Sequence, residues 1–231
     1  LQTALDLRIG YFERLKQSEA SMIVVIAGTN RLHSVTGKVA RSVVKIYERL
    51  GRNCLLLDLA DIPPHCWNRE NYSDDLSEKP SEFHPFVRLV EEAAGLVVIS
   101  PEYNGGVPGS LKLFIDLLPN RDTNLVARPV CFIGVAAGEW GGLRPIEQLE
   151  TVFLYRKAFL YPERVFIRSC EDVIGADGQI LDARILRRLQ HQAERFLRFV
   201  EQLAPLRGLF ASVPNPAALE HPSIFEEERS K

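Results

Sequence analysis

Short apolar runs alternate along the chain with longer amphipathic stretches, and the alternation is regular enough to set out elements. Residues 22 to 28 (MIVVIAG) form a nearly continuous apolar run ending in glycine, the pattern of a strand covered on both faces. From Val35 to Leu50 the residues Val39, Val43, Val44, Ile46 and Leu50 recur at helical spacing, and Gly51 stops the helix. NCLLLDL, residues 53 to 59, predicts a second strand with the Pro63-Pro64 turn behind it. Residues 61 to 80 are polar and proline-bearing, an irregular excursion long enough to be functional. A helix over 81 to 94 follows from Phe83, Phe86, Val87, Leu89 and Val90. Strands over 96 to 100, 129 to 136 and 164 to 168 and helices over 109 to 118 and 143 to 159 continue the series. The terminal helix, 182 to 203, carries Ile185, Leu186, Leu189, Ala193, Phe196, Leu197 and Val200 on one period, with Asp182 as its N-cap.

Strands that alternate with helices five times imply parallel pairing through right-handed crossovers. The expected fold is therefore α/β, a doubly wound sandwich with a five-stranded parallel sheet and helices on both faces. One domain over residues 22 to 203 accommodates it. Met22 is the only methionine, so residues 1 to 21 read as an extension ahead of the natural start, with Leu5, Ile9, Phe12 and Leu15 at helical spacing. Residues 204 to 231 bear Pro and Glu without a sustained period, and are expected to be mobile or docked on a partner subunit.

Composition narrows the function classes. With 231 residues, 46% of them hydrophobic, the chain buries one sizeable core and demands no second domain. A formal charge of -2 with mixed signs offers no basic face for a polyphosphate backbone, so nucleic acid is not an expected partner. Cys54, Cys66, Cys131 and Cys170 lie far apart, without CxxC or His at ligand spacing, and read as buried reduced thiols. No apolar run approaches the roughly 18 residues of a membrane span, and the first twenty residues lack a signal-peptide core, so a cytoplasmic location is expected.

In an open parallel sheet, ligands sit beyond the carboxyl ends of the strands, which directs attention to the loops there. The first runs Gly28-Thr29-Asn30-Arg31-Leu32-His33-Ser34-Val35-Thr36-Gly37. Hydroxyls, a guanidinium and a helix N-terminus converge in it, as a phosphate monoester requires; alternatively, the hydroxyls only cap the helix. Neither GxGxxG nor GxxxxGK[ST] is present, so a pyrophosphate cradle is not expected, and His33 reads as a surface side chain. The second loop, Ser100-Pro101-Glu102-Tyr103-Asn104-Gly105-Gly106-Val107-Pro108, enters a helix; taken alone it is also consistent with a plain β-turn. Lys112 and Asp116 are expected to form a solvated i,i+4 pair.

Taken together, these segments resemble the NADPH-dependent FMN reductase family, which includes quinone, chromate and azo-dye reductases. Its G-S-x-R-x-x-S-x-N pattern is met by Gly28, Arg31 and Ser34, with Thr29 for Ser and Thr36 for Asn; its P-E-Y-N-x-x-x-P-G-x-L-K pattern is met without a break from Pro101 to Lys112. Its S-x-G-x-x-G-G-x-R pattern meets Gly138, Gly141, Gly142 and Arg144, with Ala136 in place of the hydroxyl, which leaves backbone amides to hold the flavin there. The resemblance covers residues 22 to about 203 and implies a flavodoxin-like fold with FMN as cofactor. By the same resemblance Thr29, Arg31, Ser34, Val35 and Thr36 hold the phosphate. Pro101, Glu102, Tyr103, Asn104, Gly105, Gly138, Gly141 and Gly142 surround the ring and ribityl chain.

Glu102 is assigned to site shaping, holding its loop or pairing with Arg144 across a subunit interface, and no protein residue is expected to be catalytic, because the flavin carries the redox step. The resemblance further implies NADPH or NADH as cosubstrate, ping-pong exchange with quinones, flavin, azo dyes or metal oxyanions, and a homodimer or homotetramer. Trp67, Tyr72 and Trp140 are candidates to cover the ring; Arg31, Arg121 and Arg144 are candidates for a 2′-phosphate partner. Two other readings stand beside the reductase. One is a flavodoxin-like electron carrier, for which the charge of -2 is small; the other is a non-redox domain that has lost its ligand.

Overall fold

The structure is a computed structural model that describes residues 22–120 and 125–211; the spacing from Leu5 to Leu15, Arg121 and the tail from 212 onward lie outside the described residues. The strands are β1 (Ile23–Ala27), β2 (Cys54–Asp58), β3 (Gly95–Pro101), β4 (Pro129–Val135), β5 (Phe159–Leu160) and β6 (Val165–Ile167). The helices are α1 (Val35–Arg49), α2 (His84–Glu92), α3 (Gly109–Leu117), α4 (Leu143–Tyr155), α5 (Cys170–Val173) and α6 (Ala183–Ala211). The sheet runs β2-β1-β3-β4, with β5 and β6 both on the outer edge of β4, and every pair is parallel. This is the flavodoxin-like order, whose switch point lies between β1 and β3.

Side chains that alternate along each strand feed two cores. Val24, Ile26, Leu96, Val98, Val130 and Phe132 pack with α2, α3 and α4. Ile23, Val25, Val97, Ile99, Cys131 and Ile133 pack with α1 and α6. Burial on both faces explains why these strands read as unbroken apolar runs. The four cysteines are buried free thiols, and burial pushes the thiols of Cys54, Cys66, Cys131 and Cys170 up. Among the described residues, no helix is long and apolar enough to cross a membrane.

Three elements depart from the expectation. The fifth strand position is shared: β5 pairs with Pro129 and Val130, and β6 with Ile133 to Val135. The break between them leaves carbonyls that need a donor, and Gln192, buried on α6, supplies it from Nε2 to Phe132 O (3.1 Å) and Glu163 O (2.8 Å). The helix expected over 143 to 159 ends at Tyr155. Lys157 there turns left-handed at φ 60°, and Ala158 N bonds back to Phe153 O at 3.0 Å, a helix C-terminus that frees Phe159 for the sheet. The last helix passes Leu203 and Pro205 and runs to Ala211. Its Arg207 donates to Ala93 O at 3.1 Å and the fully buried Arg128 to Glu91 O at 2.8 Å. Two guanidiniums thus meet the negative end of α2.

The excursion after β2 is a series of 3-10 turns from Leu59–Asp61 to Leu76–Glu78. Buried Asn71 donates to His65 O and Cys66 O at 3.0 and 3.1 Å, and the buried Lys79 ammonium donates to Asn71 O. Trp67 packs against the first core cluster. Asp74 accepts from Asn120 N at 2.7 Å, beyond the far end of α3 from the second loop, which ties the neighbourhood of Tyr72 to the opposite edge of the sheet.

Candidate active site

Three loops meet at the carboxyl edge. As the first leaves β1, Gly28 N still bonds Ile99 O of β3 at 2.8 Å, so Thr29 stays inside the fold, fully buried. Its Oγ1 accepts from Arg31 N at 3.2 Å and lies 2.8 Å from the Tyr103 hydroxyl of the second loop. Arg31, Leu32 and His33 are exposed, and His33 turns left-handed at φ 56°. Ser34 then caps α1, its Oγ accepting from Gly37 N at 3.0 Å. Val35 and Thr36 begin the helix; their N–H groups are first-turn donors for which the helix itself has no acceptor. The first turn carries no acidic residue of its own. The carboxylate of Asp58, from the end of β2, stands 3.6 Å from Arg41 Nη1; burial, and after it the charge of Asp58, raises the Asp61 carboxyl.

The second loop is a hairpin in miniature. Pro101, last residue of β3, pairs with Val135. Tyr103 and Gly106 exchange both backbone hydrogen bonds at 3.1 Å, and Asn104 and Gly105 between them have φ of 51° and 78°. Positive φ at both central residues makes this a type I′ turn, which favours Asn-Gly and disfavours branched residues. Helix α4 holds it at two points. Arg144 Nη1 lies 3.4 Å from Glu102 Oε1, whose side chain is 16% exposed. Gln148 Oε1 accepts from Val107 N at 3.0 Å. The pairing of Glu102 with Arg144 is thus made within one chain.

In the third loop the glycines divide by role. Gly141 and Gly142, at φ of 60° and 86°, are buried against β4 and β6; a methyl group on Gly142 would come within 2.9 Å of Val135 N, and one on Gly134 within 2.4 Å of Gly141 O. Close approach of backbone to backbone requires glycine at both positions. Gly138 is exposed, and a methyl group there would meet nothing within 4 Å. The loop is also tied outward, Ala136 N to Ile167 O and Cys170 N to Ala136 O at 3.0 and 3.1 Å.

The structure therefore brings Thr29 to Tyr103 and Glu102 to Arg144, sets Ser34, Val35 and Thr36 on the first turn of α1, and leaves Arg31 and Asn104 on the surface. The Thr29 hydroxyl faces Tyr103 and its own loop. Lys112 and Asp116 form the surface pair expected, at 2.7 Å. Sequence reasoning missed Gln148 and Ser110, whose Oγ accepts from Asn30 N at 3.4 Å. Gln148 had one available signal, its position one helical turn after Arg144.

The chain is 28% identical to the quinone reductase of Escherichia coli K12 over 192 residues, 80% of this chain and 98% of that one. It is 26% identical to the NADPH azoreductase of Bacillus sp. OY1-2 over 184 residues, 78% and 97% of the two chains. Among solved structures, the flavoenzyme NAD(P)H:(acceptor) oxidoreductase FerB of Paracoccus denitrificans superimposes with a TM-score of 0.64 at 24% identity, covering 79% of this chain and 98% of that one, which bears on the fold. A family model matches residues 21–172, more than half the chain and all three loops. By that match the chain belongs to the NADPH-dependent FMN reductase family.

Proposed function

We propose that the chain is an NAD(P)H:acceptor oxidoreductase in which FMN bridges the first loop and the cleft between the second and third, and that quinones and similar small acceptors exchange with NAD(P)H by a ping-pong sequence. The observation that carries the reading is the Thr29–Tyr103 contact at 2.8 Å. It joins a hydroxyl-lined helix N-terminus, suited to a phosphate, to a rigid Asn-Gly turn, suited to the edge of a flat ring. The open space at Gly138 fits a ring lying against the third loop. A quinone reductase and an azoreductase among the relatives support the acceptor class.

Bound FMN supplies the redox chemistry, taking two electrons from NAD(P)H and passing them to the acceptor. The protein binds and orients. In this reading Val35 and Thr36 N–H groups at the positive end of α1 hold the phosphate, with the Arg31 guanidinium alongside. Ser34 Oγ, already accepting from Gly37 N, has its own hydrogen to donate. Tyr103 and Asn104 contact the ring or ribityl chain, and Glu102 holds the turn through Arg144 rather than moving a proton. The first turn of α1 has no acidic residue of its own, and the Asp58 carboxylate beside Gly37 is paired with Arg41 at 3.6 Å. The catalytic unit is a homodimer or homotetramer, a reading supported by Leu154 and Tyr155 of α4, exposed at 59% and 86%.

The test is an absorbance spectrum of the purified protein with added FMN, then NADPH, then a quinone. Flavin bands that bleach with NADPH and return with quinone are the expected result. Bound flavin that stays oxidised indicates an electron carrier, and no binding overturns the reading. A monomeric mass by light scattering at full FMN occupancy refutes the oligomer.

A further inference from the structure

A groove of about 900 Å³ opens on the outer side of the third loop, between Trp140 and the first turns of α6. Phe166 and Ile185 give it apolar walls, and Arg168, Arg184 and Arg188 bring three guanidiniums against the carboxylates of Glu139 and Asp182. The Trp140 indole is 68% exposed, an uncommon state for the largest apolar side chain unless something covers it. Arg184 pairs with Asp182 at 3.6 Å and Arg168 with Glu139 at 4.0 Å, both partners of the second pair being well exposed. Arg188 reaches a carbonyl, not a carboxylate, donating to Arg164 O at 3.4 Å.

We propose that this groove binds the adenosine-phosphate half of the nicotinamide cosubstrate, the adenine stacked on Trp140 and a phosphate held by Arg168 and Arg188. The inference rests on the NAD(P)H-dependent reading above and extends it to the site that selects the cosubstrate. An exposed indole beside guanidiniums presents a stacking face and bidentate phosphate donors together, the two things an adenosine phosphate needs. The third loop is the common wall of this groove and of the proposed ring cleft, so a dinucleotide engaged at one has its other end beside the second. The usual anion site for such a ligand, a helix N-terminus, is closed here: the Asp182 carboxylate already accepts from Arg184 N and Ile185 N at 2.7 and 3.2 Å. The side chains must therefore carry the phosphate. Arg144, an alternative partner, is committed to Glu102.

The test uses the full-length protein, with and without saturating FMN, titrated with adenosine 2′,5′-bisphosphate and with 5′-AMP by calorimetry and tryptophan fluorescence. The chain has two tryptophans, and Trp67 packs against the core, so a ligand-dependent change reports Trp140. The expected result is saturable quenching of the wild type, and calorimetric binding that Trp140→Leu and Arg188→Ala each shift to at least roughly tenfold higher concentration, the loss of the stacking face and of one charge-assisted hydrogen bond. Arg198→Ala, exposed on α6 and outside the groove, leaves the titration unchanged. Tighter binding of the bisphosphate places the 2′-phosphate on the arginines; equal binding places the 5′-phosphate there; either supports the site. Absence of binding, a calorimetric isotherm unchanged by Trp140→Leu, or a change in assembly mass on Trp140→Leu with no nucleotide effect overturns it. FMN binding followed separately by absorbance distinguishes failure of this site from failure of the flavin reading.

Discussion

A single methyl group added at Gly134 tests how the third loop is held. Gly134 lies in β4, paired with Ser100 on one side and Phe166 on the other. Its new Cβ would stand 2.4 Å from Gly141 O, 2.9 Å from Phe166 Cδ1 and 3.0 Å from Gly142 O. An ordinary carbon–oxygen contact is longer by about 1 Å, and two of these atoms are backbone, so the loop rather than a side chain must retreat. Overpacking of this kind costs about 1–3 kcal/mol. With a urea slope of roughly 2 kcal/mol/M for a domain of this size, the unfolding midpoint of Gly134→Ala falls by about 0.5–1.5 M. The displaced loop also loses its aim: an amide hydrogen bond lengthened by about 1 Å is broken, and FMN affinity falls several-fold for each one lost.

Gly138→Ala is the matched control. It adds the same methyl group to the same loop where nothing lies within 4 Å, at a glycine whose φ is not positive. Its stability should stay within about 0.5 kcal/mol of wild type. If the open space there belongs to the ring, FMN binding weakens by roughly tenfold or more. Urea denaturation of the flavin-free protein and FMN titration by fluorescence separate the two effects. A wild-type midpoint for Gly134→Ala refutes the packing argument, and wild-type FMN affinity for Gly138→Ala refutes the placement of the ring.

Tyr103→Phe removes the contact with Thr29 Oγ1, and should weaken FMN binding and lower stability by about 1 kcal/mol each, with a Thr29→Val double-mutant cycle showing non-additivity of about 0.5 kcal/mol or more. Gln192→Leu leaves the carbonyls of Phe132 and Glu163 without their side-chain donor, so its thermal unfolding should report a loss of about 1–3 kcal/mol with FMN affinity retained. The four buried thiols, raised by burial, should resist Ellman's reagent in the folded protein and react fully in denaturant; fast reaction of any one contradicts its burial.

What the sequence made legible was local or shared by many residues. A strand buried on both faces announces itself as an apolar run, so MIVVIAG and LVVIS are found where expected. The crossover rule then leaves few ways to arrange them. The site loops were legible because their chemistry is written in adjacent letters: Asn104-Gly105 carries the turn by itself, and Ser34 caps the helix it precedes.

What stayed illegible depends on partners distant in the chain. Nothing near Gln192 states that a broken edge strand some thirty residues earlier needs a donor. Nothing near Pro205 states that Arg207 will find a carbonyl at Ala93 and keep the helix going past a residue that usually interrupts one. The glycines of the third loop show the same limit from the other side. Their spacing suggested a flavin cradle, and φ values of 60° and 86° with the nearness of β4 show that Gly141 and Gly142 also answer to the backbone beneath them. A glycine pattern thus records two constraints at once, and the space around each residue shows one of them: where a methyl group would strike the protein, the glycine serves the fold, and where it would strike nothing, as at Gly138, the packing of this chain does not demand it.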